Sequence, residues 1–136
     1  MTNPWSISLL VGLGGFAGSV ARYALSVFSQ RFSIEWPVGT LAANLLGCLV
    51  IGIVAGLTAR GETISPAIRL ALASGFCGGF TTMSSMIYET AEMIRANEYL
   101  HAAIYAAGTF ALAMTALVAG VMAVRIVAGI GGELWN

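Results

Sequence analysis

GFCGGFTTMSSM, residues 75–86, decides how this chain is read. The stretch lies inside an apolar segment. Three glycines (Gly75, Gly78, Gly79) nonetheless surround Cys77, and the hydroxyl residues Thr81, Thr82, Ser84 and Ser85 follow, interleaved with Met83 and Met86. Glycine costs a helix interior about 1 kcal/mol relative to alanine. The Gly78-Gly79 pair therefore predicts a break in any helix that passes through it. A broken helix frees backbone carbonyls and N–H groups, which hydrocarbon tolerates only where they are buried in protein or line a cavity. Freed carbonyls suit a cation, whereas freed N–H groups beside hydroxyls suit an anion.

The composition says what kind of helix this is. Of 136 residues, 58% are hydrophobic and 9% charged, and the mean hydropathy is +0.87. Soluble domains carry about 25% charged residues, and about 20 apolar residues cross the roughly 30 Å of bilayer hydrocarbon. The chain reads as an all-α integral membrane protein. Hydropathy divides residues 1–136 into one four-span membrane domain, with spans at about 6–28, 38–58, 66–94 and 100–128 joined by short loops. The N-terminus, MTNPWSISLL, has no basic region, so the first span is expected to be retained rather than cleaved.

Six arginines balance six glutamates, with no lysine or aspartate, which argues against a nucleic-acid partner. Cys48 and Cys77 form no CxxC or Cys/His cluster and read as small buried residues. Enzyme chemistry finds no purchase. The only histidine, His101, stands near a span end, no nucleophile-base-acid set suggests itself, and VGLGGFAGS lacks the Lys-Ser/Thr of a phosphate loop.

Four spans put both termini on one side, with Arg60, Arg69 and Arg125. Arg22, Arg31 and Arg95 fall toward the other. Positive-inside bias orients a chain only when the counts differ. Equal counts leave two alternatives: a weak signal, or dual topology with antiparallel pairing of copies. Gly14/Gly18, Gly52/Gly56 and Gly75/Gly79 are small-xxx-small pairs that allow close helix packing, within a subunit or between two. Four helices barely enclose a hydrophilic path, so transport is expected to need a dimer.

Polar residues inside spans are candidates for function because an unpaired one is expensive there. Asn44 stands deep in span two, Arg22 near the end of span one, and Glu89 follows the opening motif. Tyr105 and Thr109 share a face of span four, and Thr115 lies on another. For the hydroxyls the alternative is a bond back to the i−4 carbonyl. For Arg22 it is snorkelling to the interface or capping a helix end.

GSVAR in span one, PVGTLAANLLGC in span two and GFCGGFTTMSSMIYE in span three together resemble the Fluc (CrcB) family of fluoride channels, over nearly the whole chain. The resemblance implies an antiparallel dual-topology homodimer in the inner (plasma) membrane, multi-pass, with two narrow pores that passively export fluoride from the cytoplasm. It also implies a central structural sodium ion, held by the backbone carbonyls of Gly78 and Thr81 from both subunits. The implied pore residues are Asn44, Met83, Ser84, Ser85, Met86, Tyr105 and Thr109, with a hydroxyl track leading toward Glu89. Arg22 and Thr40 match further polar positions. Met83 and Met86 stand where the family carries phenylalanines whose ring edges face the anion, and Ala113 stands at a family serine. A ring edge is electropositive, whereas a thioether sulfur is a weak acceptor. Two other readings remain open at this point. One is a non-conducting or altered-selectivity partner subunit. The other is a small four-helix proton-coupled multidrug exporter, which would need a carboxylate in span one, where there is none.

Overall fold

The computed structural model describes residues 3–33, 36–59 and 64–127. Arg60, one of the arginines weighed for orientation, lies outside them, as does Ala128 at the expected end of span four. Helix α1 (Pro4–Ser29) starts where Asn3 accepts a hydrogen bond from the Trp5 amide and Pro4 occupies the first turn. Helix α2 is Val38–Ala59. The third span is segmented: α3 (Pro66–Leu70), a wide π-helical stretch (Ala71–Cys77), a single turn α4 (Gly78–Phe80) and then α5 (Met83–Arg95). Helix α6 (Tyr99–Val127) completes the set. Pro4–Ser29, Val38–Ala59, Pro66–Arg95 and Tyr99–Val127 are each long and apolar enough to cross a membrane.

Glycine organises the packing in two seams. In the first, α1 lies against the N-terminal half of span three. A Cβ on Gly14 would collide with the backbone of Ala71 and Phe76. One on Gly18 would meet the Phe76 carbonyl, and one on Gly79 the Gly15 carbonyl. In the second, α2 lies against α6, with Gly52 on Leu117 and Gly120, Gly120 on Leu49, and Gly56 on Val124. The three small-xxx-small pairs are thus all engaged inside one subunit. Such close approach lets dispersion and backbone contact replace the hydrophobic effect, which does not drive helices together in lipid.

The core is narrow, built from Ala43, Val54, Cys77, Phe80, Ala102, Tyr105, Val121 and Val124. Large apolar side chains such as Leu13, Phe16, Phe110 and Met114 point outward, where the bilayer solvates them without penalty.

The break in span three is present but displaced from the glycines expected to cause it. Gly78 is helical (φ −61°, ψ −36°), and extended backbone appears only at Thr81 (φ −79°, ψ 156°) and Thr82 (φ −152°, ψ 113°). Gly75 and Gly79 serve close approach to α1. The helix ends two residues later, where side chains from elsewhere take over the backbone hydrogen bonds.

Candidate functional site

In a continuous helix the amides of Thr82, Met83, Ser84 and Ser85 would bond the carbonyls of Gly78, Gly79, Phe80 and Thr81. Here each of those bonds is replaced or lost. Asn44, projecting from α2 and only 8% exposed, grips Thr82 at both ends. Its Oδ1 accepts from the Thr82 amide at 2.7 Å, and its Nδ2 donates to the Thr82 carbonyl at 3.2 Å. The side-chain amide therefore stitches the extended residue as a neighbouring β-strand would. Arg22 of α1 neither snorkels nor stays idle, since its Nε donates to the Gly79 carbonyl at 3.2 Å. It caps the C-terminal end of α4. The carbonyls of Gly78, Phe80 and Thr81 accept no hydrogen bond among the described residues. A Cβ on Gly78 would make only an ordinary contact, with the Ala73 carbonyl at 4.0 Å.

Thr82 is the hub that sequence reading undervalued. Its hydroxyl accepts from the Ser85 amide at 3.1 Å as N-cap of α5, and it lies 3.0 Å from the Ser85 hydroxyl and 3.2 Å from that of Ser84. The signal was in the sequence: Thr-Met-Ser-Ser directly before an amphipathic run is a helix start. The first N–H groups of α5, on Met83 and Ser84, lack intrahelical acceptors as at any helix N-terminus. They lie at the positive end of the helix dipole, in mid-span. The neighbouring Thr81 hydroxyl belongs to no such track, because it donates to the Cys77 carbonyl at 2.9 Å. Thr115 likewise bonds back to Ala111, at 2.9 Å.

Two turns along α5, Glu89 brings three helices together. The Thr40 hydroxyl of α2 donates to one carboxylate oxygen and the Tyr105 hydroxyl of α6 to the other, each at 2.6 Å. Thr109, one turn beyond Tyr105, is buried, and its hydroxyl has no partner among the described residues. At the next turn Ala113 offers none.

Glu89 and Thr40 also line the inner wall of a cavity of about 560 Å³, which runs past Ser26, Ser29, Gln30 and Ser33 to Trp36. This polar mouth was missed from sequence. The residues are spread over the end of α1 and the loop after it, and read singly as an ordinary helix end.

Asn44, Thr82, Ser84 and Ser85 form one group, and Thr40, Glu89 and Tyr105 another, with Arg22 behind the break. Met83 is outside both. It is 69% exposed on the surface of the single subunit, while Met86 is half-buried on the face of α5 that carries Ser85 and Glu89.

A family model described as CrcB-like protein, Camphor Resistance (CrcB), matches residues 9–121. A protein of Chlorobium chlorochromatii named fluoride-specific ion channel FluC is 43% identical over 121 residues, covering 89% of this chain and 94% of the relative. Proteins of the same name from Chlorobaculum tepidum (43% over 118 residues; 87% and 94%) and Nitrobacter winogradskyi (40% over 124 residues; 90% and 98%) are similarly related. The match spans every helix of the fold, including the stitched break, and the chain belongs to the CrcB family.

Proposed function

We propose that this protein is a passive, fluoride-selective channel that lets fluoride leave the cytoplasm, and that it works as an antiparallel dual-topology homodimer with two pores. The observation that carries the reading is the stitched break. It sets a helix N-terminus, the hydroxyls of Thr82, Ser84 and Ser85 and the Asn44 amide side by side within a membrane span. Fluoride is small and strongly hydrated, so a pathway must replace its water with several weak donors without trapping it. Hydroxyls, an amide and backbone N–H groups do this better than a fixed cation. The group leads from Asn44 and Ser85 toward Glu89, Tyr105 and Thr109, and thence to the polar cavity. The names of the relatives point the same way.

The carbonyls of Gly78 and Thr81 fit a structural sodium ion between the two subunits. They are hard oxygen donors without partners among the described residues, and hard oxygen is what such cations take. Gly78 is uncrowded, with only the Ala73 carbonyl, at 4.0 Å, near the place of its side chain. Bound there, the ion would fix two copies of the break against each other.

The test is efflux from liposomes loaded with fluoride, read with a fluoride electrode. The expected result is fluoride release well above protein-free vesicles with chloride retained; no release above the blank would overturn the reading. A second reading, a non-conducting or altered-selectivity partner subunit, is favoured by one feature, the thioethers of Met83 and Met86. If the chain alone is silent, and conducts once Met83→Phe and Met86→Phe are introduced together, the partner reading stands instead. The exporter reading finds no support, because α1 carries Arg22 and no carboxylate.

A further inference from the structure

Helix α5 ends in a Schellman turn. Asn97 adopts a left-handed conformation (φ 62°), which asparagine tolerates better than most residues. Its amide bonds the Ile94 carbonyl at 3.0 Å, and the Glu98 amide bonds the Met93 carbonyl at 2.8 Å. The second bond places Met93 and Glu98 side by side although they are five apart in sequence. Helix α6 starts at once, so His101 stands one turn above Glu98, its Nδ1 3.4 Å from the carboxylate. From the loop before α2 comes Trp36, its amide held by the Ser33 hydroxyl at 3.0 Å and its ring set edge to face on His101 at 5.5 Å. Trp36, Met93, Glu98 and His101 enclose a cavity of about 360 Å³. Met93, Glu98 and His101 stand outside the ion path proposed above, and Trp36 borders both this cavity and the mouth of the larger one.

The lining fixes the ligand chemistry. Among the described residues, Glu98 is the one acidic side chain lining this cavity. The nearby Arg95 does not neutralise it, because it pairs with Glu92 at 2.9 Å. A carboxylate with an aromatic wall and a thioether wall recognises a cation with some apolar character, which is the chemistry of an organic ammonium. The cavity also has a fixed level in the bilayer. It is built from the turn before α6 and the loop before α2, where the spans end, and tryptophan is enriched at that headgroup depth.

We propose that this cavity binds the primary ammonium of a bilayer lipid headgroup, with Glu98 as its counter-ion and Trp36 as its aromatic wall. The site holds a lipid against the mouth of the larger cavity, since Trp36 is common to both. Native mass spectrometry of the delipidated full chain tests this, with phosphatidylethanolamine and phosphatidylglycerol of identical acyl chains as probes. Phosphatidylethanolamine is expected to be retained about tenfold more tightly, a difference of about 1.4 kcal/mol. Glu98→Gln should abolish that preference, and Arg95→Gln, at the same helix end but paired with Glu92, should preserve it. Equal retention of the two lipids by the unaltered chain, or an undiminished preference in Glu98→Gln, overturns the proposal. Soluble ethanolamine phosphate binding as tightly as the lipid would overturn its assignment to a membrane component. The readout is binding, so it stands or falls separately from fluoride conduction.

Discussion

The two halves of the third span are held by opposite means. Its N-terminal half, Pro66–Phe80, buries Gly75, Cys77 and Phe80 and presses backbone to backbone on α1. Its C-terminal half, α5, has no fully buried residue and is tied down by hydrogen bonds from Asn44, Thr40 and Tyr105. Close packing tolerates no added atom but needs no polar partner. Tethering tolerates loose packing but fails when a single donor is replaced. A channel wall profits from the division, because one half must be rigid while the other must leave polar groups available to an ion.

The sharpest way to break this contrast is to add atoms to the packed half. In Gly18→Val the new Cβ would strike the Phe76 carbonyl and lie 2.9 Å from the Phe80 amide, both backbone groups that cannot swing away. Overpacking of this kind costs about 3 kcal/mol or more. We expect little monodisperse protein in detergent, with a markedly lower melting temperature in what survives. A wild-type melting curve would show that the α1 seam is loose and the division false.

The tethered half should respond to isosteric chemistry instead. Asn44→Asp keeps the shape of the side chain but turns the Nδ2 donor into an acceptor facing the Thr82 carbonyl across 3.2 Å. Losing that bond and opposing two acceptors costs about 1–3 kcal/mol, locally. The folded chain should persist while liposomal fluoride flux falls by about two orders of magnitude, as a cost near the top of that range in the proposed ion path implies. Faster hydrogen exchange at the Met83–Ser85 amides would locate the damage. Unimpaired flux would remove Asn44 from the ion path.

A smaller effect is expected two turns on. Tyr105→Phe removes one of the two hydroxyls on Glu89 and leaves the ring in place. Paired with Glu89→Gln in a double-mutant cycle, it should give a coupling near 0.6 kcal/mol, and not above about 1.7, as for interhelical hydrogen bonds in other membrane proteins. The unfolding free energy in lipid bicelles is the readout. A coupling of zero would mean that the Tyr105 hydroxyl does not distinguish the carboxylate from an amide, leaving Asn44 and Thr40 as the tethers of α5.

These cases show what sequence could and could not deliver. Hydropathy is a sum over many residues, so four apolar helices were legible, and so was a disturbance near Gly78. Its position was not. A glycine pair marks where a helix is weak, whereas the actual break at Thr81-Thr82 depends on Asn44, 38 residues away, offering replacement bonds. The same limit applies to Glu89, whose importance was visible as a charge in a span while its two partners on α2 and α6 were not paired with each other. The cavity mouth at Ser26–Ser33 was invisible because each of its hydroxyls, taken singly, is what any helix end carries. For Arg22 the sequence permits both snorkelling and capping, and only the position of the Gly79 carbonyl decides between them.

The mildest test concerns glycines that the packed seams do not use. Gly108 on α6 and Gly12 on α1 have nothing within 4 Å of where a Cβ would stand, unlike Gly18 or Gly52. If the seams inside one subunit are complete, Gly108→Ala should leave the fold intact and stabilise α6 slightly, by up to about 1 kcal/mol, through helix propensity alone. Small residues kept on an outward face of a membrane helix have one other use, close approach of a second copy. The substitution therefore separates two demands on the same residue type. An unchanged dimer fraction in lipid, measured by single-molecule photobleaching, places Gly108 against lipid. A fall in that fraction at constant monomer stability places the partner subunit on the Gly108 face of α6, and extends the backbone-on-backbone packing of the α1 seam from within the chain to between chains.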